Sequence, residues 1–197
     1  MLDSDCPSSG VRLPRFRVLT VCTGNLYRSP LAERLLREGL DEGQLTIHVS
    51  SAGTAAAPVN PAAGTAESVA GWAVDTSGMV TRRLTAALVE SSDLVLGAAT
   101  EHREAAVRLS PVHALRRAFS LREFARLVRA EDGAGMADPA ARFAALVKGA
   151  AARRGTSGSG TDDDVIDPLG ASPEEVRRCV VRIEQSVERI MAAVRAG

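Results

Sequence analysis

The sequence has few cysteines, and no two of them lie close together in the chain. Its three cysteines, Cys6, Cys22 and Cys179, are widely spaced and odd in number, which argues against a disulfide-bonded scaffold and favours a reducing compartment. No Cys-x-x-Cys pair occurs, so a zinc site has no support. We therefore expect a cytoplasmic protein that needs neither a metal ion nor another cofactor.

The chain also lacks net charge and long apolar runs. Lysine and arginine together number 24, as do aspartate and glutamate, so no basic field favours a nucleic-acid partner. No apolar stretch approaches the length of a membrane span, and residues 1–14 have no apolar centre of the kind found in a signal peptide. The glycine-rich patterns of nucleotide and dinucleotide sites are absent too. We expect no nucleic-acid partner and no membrane contact.

Strand and helix signals alternate along the chain, as in proteins built on a parallel sheet. The length of 197 residues is enough for one domain with a full core. We expect a flexible N-terminal tail over residues 1–14 and a single α/β domain over residues 15–197. Strands are predicted at residues 16–21, 45–50, 93–97 and 112–119, and helices at residues 30–40, 61–73, 101–109, 121–129, 142–153 and from 172 onward.

The last helix has the clearest pattern. Ser172, Pro173 and Glu175 form a capping box with proline at the first helical position. Apolar residues then recur on one face and predict core packing, with Cys179 beside them as an ordinary buried thiol. This apolar stripe consists of Val176, Val180, Ile183, Val187, Ile190 and Val194.

The segment from Phe16 to Pro30 carries most of the functional information. An apolar strand ends at Cys22, a short loop follows, and Arg28-Ser29-Pro30 opens a helix. A loop between a strand and a helix N-terminus directs backbone N–H groups and the positive end of the helix dipole at one point. These groups and Arg28 favour the thiolate form of Cys22, and the guanidinium can hold two oxygens of a tetrahedral anion. The spacing predicts a cysteine nucleophile at the bottom of a phosphate-binding loop.

Other residues of the loop have local reasons for their positions. Gly24 and Asn25 tolerate left-handed backbone angles, which a loop wrapped around an anion requires. Ser29 and Pro30 are expected as the N-cap and the first residue of the helix, and the Ser29 hydroxyl can donate to the Cys22 thiolate. A lone cysteine at the end of a core strand is usually structural, so the prediction depends on the whole combination.

This motif resembles that of the low-molecular-weight protein tyrosine phosphatases, Cys-x-Gly-Asn-x-Cys-Arg-Ser-Pro-x-Ala-Glu. Tyr27 occupies the position where those enzymes usually have a second cysteine. The resemblance implies a three-layer α/β fold, a doubly wound four-stranded parallel sheet with helices on both faces. Relative to that fold, an Ala-rich and Gly/Ser-rich stretch at about residues 131–163 looks like an insertion. The residues in register are Cys22, Gly24, Asn25, Arg28, Ser29, Pro30, Ala32 and Glu33.

The resemblance also implies the roles of the site residues. Cys22 would attack phosphorus and Arg28 would hold the phosphoryl oxygens, with Ser29 beside the thiolate. An Asp-Pro pair before the last helix carries the general acid in that family, and Asp167-Pro168 has this position here. Taken alone, Asp-Pro is common in turns, and the acidic run at residues 162–164 is typical of a solvated face. The residues whose backbone would bind phosphate are Thr23, Gly24, Asn25, Leu26, Tyr27 and Arg28.

The chain departs from the family pattern around the pocket. Leu169 follows the Asp-Pro pair where an aromatic residue is common, and the stretch at residues 55–59 is Ala-Ala-Ala-Pro-Val rather than aromatic. Met79 stands where many relatives have a supporting histidine. Unless Tyr27 or Trp72 supplies an aromatic surface, we expect weak selectivity for the phenyl ring of phosphotyrosine.

The resemblance implies a metal-independent phosphomonoester hydrolase that acts through a cysteinyl-phosphate intermediate, as a protein tyrosine phosphatase does. Its substrate would be a phosphorylated protein or a small phosphomonoester.

Other functions stay open. Thioredoxin-coupled arsenate reductases share the fold and the Cys-x5-Arg loop, but they need two further cysteines, for which only Cys6 and Cys179 are available. A non-catalytic module that binds phosphate or a phosphoprotein would need neither Cys22 nor Asp167. A Cys-His acyl-transfer site is not favoured, because no histidine lies in a second motif. The histidines are His48, His102 and His113, all in predicted strand or helix stretches.

Overall fold

The computed structural model of the chain describes residues 16–40, 47–57, 81–154 and 162–196. The strands in these ranges are β1 (Phe16–Cys22), β2 (Ile47–Gly53), β3 (Leu94–Gly97) and β4 (Ala118–Ser120). They form one parallel sheet in the order β2-β1-β3-β4. β1 is buried along almost its whole length, as expected of a strand that is covered on both faces.

Helices connect the strands, and the last helix is the longest described. The helices are α1 (Arg28–Gly39), α2 (Ala86–Glu90), α3 (Thr100–Leu109), α4 (Pro111–Ala114), α5 (Leu121–Leu127), α6 (Pro139–Arg153) and α7 (Pro173–Arg195), with a 3-10 turn at Ala130–Gly133. Within the described ranges, no helix combines the length and the apolar character needed to cross a membrane.

Helices cover both faces of the sheet because side chains alternate along each strand. On one face, Val18 of β1 and Leu96 of β3 pack with residues of α1, α5, α6 and α7. On the other face, Leu19 of β1 and Val95 of β3 pack with residues of α2, α3 and α4. The predicted three-layer, doubly wound α/β fold with a four-stranded parallel sheet is therefore confirmed.

The Ala-rich helix α6 belongs to the main core. Phe143 of α6 is fully buried, and its ring centroid lies 5.2 Å from that of Phe16. Asp138 caps the helix, since its carboxylate accepts from the Ala140 N–H at 3.2 Å. At the other end of α6, Arg153 forms an ion pair with Asp132. Helix α6 therefore contributes side chains to the main core, and its interpretation as part of an insertion stays a prediction.

The last helix, α7, has the predicted start and the predicted buried face. The Ser172 hydroxyl accepts from the Glu175 N–H at 3.3 Å, and the Glu175 carboxylate accepts from the Ser172 N–H at 2.9 Å. Cys179 is buried, as expected. Every residue of the predicted apolar stripe is also buried: Val176, Val180, Ile183, Val187, Ile190 and Val194.

Two strand predictions differ from the structure. β2 continues to Gly53, beyond the predicted end at residue 50, because its pairing with β1 continues as far as Cys22. The strand predicted at residues 112–119 is wrong in its first part, where Pro111–Ala114 forms α4. Pro111 favours a helix start over a strand, and Val112 is 91% exposed, so its apolar side chain carries no core signal.

Several sequence predictions lie outside the described residues. These are the N-terminal tail at 1–14, the helix at 61–73 with Trp72, the residue Met79, and the Gly/Ser spacer at 155–160.

Candidate active site

The predicted nucleophile lies at the carboxyl end of β1, in the interior of the sheet. β2 pairs with one side of β1, whereas β3 and β4 continue on the other side, so the winding direction changes at this strand. Ligands of open α/β sheets bind at such a point. Cys22 ends β1, residues 23–27 form a loop, and α1 begins at Arg28. The strand, loop and helix of the motif are therefore arranged as predicted.

The Cys22 thiol is surrounded by hydrogen-bond donors. Cys22 is 2% exposed, and its Sγ accepts from the Asn25 N–H at 3.3 Å. The Ser29 hydroxyl oxygen lies 3.0 Å from the same sulfur. The prediction that Ser29 is the N-cap and Pro30 the first helical residue was wrong, because α1 begins two residues earlier, at Arg28, with Tyr27 as N-cap. Ser29 instead lies in the first helical turn, where its hydroxyl can stabilise a thiolate.

Asn25 fixes the shape of the loop. It has a φ of 56°, in the left-handed region that was predicted for the loop, whereas Gly24 does not adopt a positive φ. Its side-chain amide donates to the Ser29 hydroxyl at 3.1 Å and to the Ser51 hydroxyl at 2.9 Å. Its side-chain oxygen, Oδ1, accepts from the backbone N–H of Arg82 at 2.9 Å. Asn25 therefore ties the loop to α1, to β2 and to the segment before α2.

Gly53 allows β2 to approach the loop closely, a role that sequence analysis missed. A Cβ at Gly53 would lie 2.6 Å from the Thr23 carbonyl oxygen and 2.8 Å from the Asn25 nitrogen. Both are backbone atoms, so any side chain at this position would displace the loop. The need arises from a contact between distant parts of the chain, and the only signal in the sequence was a glycine after a predicted strand.

Arg28 brings the predicted acid to the loop. The guanidinium is buried, with Arg28 5% exposed, and its Nη1 donates to the Val165 carbonyl at 3.2 Å. Its Nη2 donates to the Thr23 hydroxyl at 3.2 Å and forms an ion pair with the Asp167 carboxylate. Asp167 is half exposed, and its other oxygen accepts from the Leu169 N–H at 3.1 Å. Cys22, Arg28, Ser29 and Asp167, predicted from separate parts of the chain, thus lie at one site.

The neighbouring acidic residues are engaged elsewhere. Asp162 pairs with Arg122 at 2.9 Å, and Asp163 pairs with Arg126 at 2.8 Å. The Asp164 carboxylate accepts from the N–H of Thr100 at 2.7 Å and from its hydroxyl at 2.9 Å, at the start of α3. Asp162 and Asp164 are exposed, as the alternative of a solvated acidic run predicts, whereas Asp163 is only partly exposed. Asp167 forms an ion pair with Arg28, whereas Asp162, Asp163 and Asp164 have the other partners named above. 

A buried histidine also contacts the loop, and sequence analysis assigned it no role. His102 lies in the first turn of α3 and is 1% exposed. Its Nε2 is 3.0 Å from the Thr23 hydroxyl, and its Nδ1 accepts from the Ala99 N–H at 3.0 Å. Burial lowers the pKa of His102 below its usual 6.5, and the positive charge of Arg28 acts in the same direction.

The described surroundings of the site carry little aromatic surface. Ala55 and Ala57 are exposed in the segment after β2, and Leu169 is 74% exposed beside Asp167. Tyr27 is half-buried at the N-terminus of α1. Trp72, the other candidate for an aromatic surface, lies outside the described residues.

The second described cysteine differs sharply from Cys22. Cys179 is packed in the core face of α7, and burial raises the pKa of its thiol to about 11. Among the residues that the structure describes, no group of three or more His, Cys, Asp and Glu side chains is arranged to hold a metal ion. Binding of phosphate by the loop amides of residues 23–28 stays a prediction.

The lowered pKa of His102 predicts a loss of stability in mildly acidic solution. As the pH falls through about 6.5, the imidazole of the unfolded chain gains a proton before that of the folded protein, because the folded pKa is lower. The unfolded state then binds more protons, so the free energy of unfolding decreases. We expect urea unfolding midpoints to fall between roughly pH 7.5 and pH 5.5, and to fall less for His102→Gln. An equal pH dependence of the unfolding midpoint in wild type and His102→Gln would contradict this prediction. His48 is present in both proteins, so its titration does not contribute to the difference between them.

The sequence matches the family described as "Low molecular weight phosphotyrosine protein phosphatase" over residues 17–146. That segment includes the loop from Cys22 to Ser29 but ends before Asp167. A structure of a low molecular weight protein tyrosine phosphatase from T. tengcongensis superimposes with a TM-score of 0.62 and 22% identity, covering 90% of this chain and 98% of that chain. At that identity the superposition supports the fold alone.

Two curated relatives match part of the chain. The low molecular weight protein-tyrosine-phosphatase Etp of Escherichia coli strain K12 is 39% identical over 95 residues, which are 48% of this chain and 62% of Etp. The protein-arginine-phosphatase of Bacillus subtilis strain 168 is 36% identical over 87 residues, which are 44% of this chain and 58% of that protein. The matched segment thus spans less than two thirds of each relative. The family match is longer, and it falls on a fold that holds the motif in its predicted place, so the chain belongs to the low molecular weight phosphotyrosine protein phosphatase family.

Proposed function

We propose that this protein is a metal-independent phosphomonoester hydrolase that acts on phosphotyrosine in proteins through a cysteinyl-phosphate intermediate. The observation that carries the proposal is the meeting of three groups at one loop. The Cys22 sulfur faces hydrogen-bond donors, and the Arg28 guanidinium contacts both the loop and the Asp167 carboxylate. A binding module would need the cation but neither the thiol nor the carboxylate. A hydrolase needs all three.

In the first step, the Cys22 thiolate attacks phosphorus in line with the leaving oxygen. The S–P bond forms while the bond from phosphorus to the leaving oxygen breaks, and Asp167 gives its proton to that oxygen. Arg28, together with the backbone N–H groups of residues 23–28, holds the equatorial oxygens on which charge spreads. Ser29 stabilises the thiolate before attack and again when the sulfur leaves.

The ion pair between Arg28 and Asp167 links substrate binding to this proton transfer. Nη2 of Arg28, which contacts Asp167, is one of the nitrogens that would hold a phosphoryl oxygen. A phosphate dianion therefore competes with the carboxylate for the same donor. Binding of the phosphate would thus release the Asp167 carboxyl group from Arg28 and leave it next to the leaving oxygen.

In the second step, water hydrolyses the intermediate. The Asp167 carboxylate takes a proton from the water, the new O–P bond forms, and the S–P bond breaks to return the thiolate. Inorganic phosphate leaves, and the protonated Asp167 is ready for another cycle. Neither step needs a metal ion, since the guanidinium and the loop amides supply the positive charge.

Phosphotyrosine is proposed because both the family and the Escherichia coli relative are named for it. The chain around the acid offers aliphatic rather than aromatic surface, with Ile166 44% and Leu169 74% exposed. Aliphatic contact lacks the aromatic stacking that contributes about 1 kcal/mol per ring pair, so selectivity for phenyl esters should be modest. Phosphoarginine is the second candidate, because the Bacillus subtilis relative is named a protein-arginine-phosphatase.

The state of Cys179 argues against a redox function. A disulfide relay needs a second cysteine that reacts as a thiolate. Cys179 is buried and has a pKa of about 11, so it is a poor nucleophile at neutral pH. Cys6 lies outside the described residues. An arsenate reductase is therefore disfavoured. A cytoplasmic location is proposed from the odd number and wide spacing of the cysteines.

A substrate panel tests the proposal directly. We expect the purified protein to hydrolyse p-nitrophenyl phosphate and phosphotyrosine peptides, with full activity in EDTA and only a small advantage over aliphatic phosphates. A phosphoarginine peptide and thioredoxin-coupled arsenate reduction are assayed in parallel. If the protein released phosphate from the phosphoarginine peptide alone, its substrate would be phosphoarginine rather than phosphotyrosine. Arsenate reduction without phosphatase activity, or activity lost to EDTA and restored by a metal ion, would overturn the proposal.

A further inference from the structure

The two ring nitrogens of His102 have different partners, and together they determine its tautomer. Nδ1 accepts a hydrogen bond from the Ala99 N–H at 3.0 Å. A nitrogen that accepts from an N–H carries no proton, so the proton of the neutral ring is on Nε2. Nε2 therefore donates to the Thr23 hydroxyl oxygen, 3.0 Å away. The protonated ring would place an N–H against the Ala99 N–H, which the structure disfavours.

Thr23 also contacts Arg28, the arginine of the site. Its hydroxyl oxygen also accepts from Nη2 of Arg28 at 3.2 Å. A hydroxyl oxygen has two acceptor positions, and His102 and Arg28 occupy both. The imidazole of His102 and the guanidinium of Arg28 therefore both donate to the Thr23 hydroxyl oxygen. Two buried residues, His102 at 1% and Arg28 at 5% exposure, are joined through one half-buried hydroxyl.

We propose that His102 is a positioning residue that, through Thr23, holds the Arg28 guanidinium in the orientation that grips phosphate. The inference rests on the proposed function. Nη1 of Arg28 is held by the Val165 carbonyl, and Nη2 is held by Thr23 and Asp167. When a phosphate takes the place of Asp167, the contact with Thr23 still fixes Nη2. The guanidinium plane of Arg28 then keeps its orientation when phosphate replaces the Asp167 carboxylate. This preserves the alignment of Arg28 with the phosphoryl group that catalysis needs.

Burial is the main cause of the lowered pKa of His102, and the charged groups around its ring act in both directions. Arg28 opposes protonation, whereas Glu101, Asp164 and Asp167 favour it. Glu101 is the nearest carboxylate, with an oxygen 3.4 Å from Nε2, but its side chain is 73% exposed. Such an exposed carboxylate is screened by water and competes weakly with Thr23 for the Nε2 proton. Glu101→Gln therefore serves as a control that should retain wild-type activity.

Two substitutions separate the contacts of His102. Asparagine can place its carbonyl oxygen near the position of Nδ1 and keep the contact with Ala99, but it is too short to reach Thr23. Glutamine can place its amide nitrogen near the position of Nε2 and donate to Thr23, while the contact with Ala99 is weakened. A purely structural role would make activity follow stability in these variants. A positioning role makes the two orders differ.

We expect His102→Asn to lower kcat/KM about tenfold to a hundredfold, as misplacement of a catalytic group does, whereas His102→Gln stays within about threefold of wild type. The thermal midpoint should follow the opposite order, with His102→Asn at least as stable as His102→Gln. His113→Asn, the same change at an exposed histidine, should retain wild-type kinetics. Losses of activity that follow the thermal midpoints would overturn the proposal.

A double-mutant cycle tests whether Thr23 transmits the effect. Thr23→Val removes the hydroxyl and keeps the shape of the side chain, so it should lower kcat/KM. In the His102→Asn background, the same change should add little, because the chain of contacts is already broken. Additive losses would mean that His102 acts by another route and would overturn the proposal.

Phosphate affinity and the tautomer are measured without turnover, so they distinguish this inference from the proposed function. NMR of the imidazole nitrogens should report the Nε2–H tautomer in wild type, and His102→Asn should weaken binding of inorganic phosphate while His102→Gln does not. If wild type binds phosphate in this pattern but hydrolyses no phosphoester, the proposed function fails and the positioning role stands. A protonated ring at neutral pH, or equal phosphate affinity in all three proteins, overturns the positioning role.

Discussion

Cys22→Ser should lose phosphatase activity by at least about 10⁴-fold, the order of loss when a covalent nucleophile is removed. The reason lies in the contacts of the sulfur. The Asn25 N–H donates to Sγ, and the Ser29 hydroxyl is close enough to do the same. Donors stabilise an anion that is already formed, but they cannot take a proton from a neutral hydroxyl. A serine at this position would need a general base, and none is among its described contacts. The measurement is kcat with p-nitrophenyl phosphate.

The matched control for this prediction is Cys179→Ser. It makes the same chemical change at a thiol that is buried in the core face of α7, so its cost should be in stability rather than in chemistry. Cys22→Ser should still bind vanadate or inorganic phosphate, since Arg28 and the loop backbone are unchanged. Substantial turnover by Cys22→Ser, or an equal loss in both variants at matched folded fraction, would show that another group is the nucleophile.

The parts of the site that were predictable are those encoded by adjacent residues. The strand that ends at Cys22, the loop and the helix that begins at Arg28 follow one another in the chain, so their order alone predicts their geometry. The capping box at Ser172 and the buried face of α7 are local in the same sense. Asp167 is different, because only its position before the last helix, in a chain that resembles the family, indicated a role. The ion pair with Arg28 joins residues 139 positions apart.

The contacts that sequence analysis missed are those made by the tertiary structure. His102 looked like an ordinary helix residue, because nothing near it in the sequence indicates a contact with Thr23, 79 positions earlier. Gly53 lies at the end of a strand that was predicted too short, so its approach to the loop was not anticipated. Local preference predicts Ser29 as the N-cap, whereas the helix begins two residues earlier; the contact of Ser29 with Cys22 was predicted. Tertiary contacts override local preference at each of these positions.

Asp167→Asn should lower kcat/KM, which reports the first step, about 10²- to 10³-fold for alkyl phosphates and phosphotyrosine, in the range that a general acid contributes. It should lower kcat/KM about tenfold or less for p-nitrophenyl phosphate, whose leaving oxygen scarcely needs a proton. The asparagine is nearly the same size as the aspartate and keeps the turn that precedes α7. A steeper dependence of kcat/KM on the pKa of the leaving alcohol is therefore the signature to measure. An equal loss across all leaving groups would place the acid elsewhere.

The same variant should bind inorganic phosphate more tightly, because asparagine forms no ion pair with Arg28 and no longer competes with the anion for Nη2. The inhibition constant for phosphate should fall severalfold while kcat falls, a combination that a damaged fold would not produce. Asp162→Asn is the matched control, since Asp162 pairs with Arg122 and Arg182 rather than with the loop arginine. It should leave both the leaving-group dependence and the phosphate affinity unchanged. If Asp167→Asn bound phosphate more weakly than wild type, Asp167 would assist anion binding, and its ion pair with Arg28 would be part of the substrate site rather than a competitor for it.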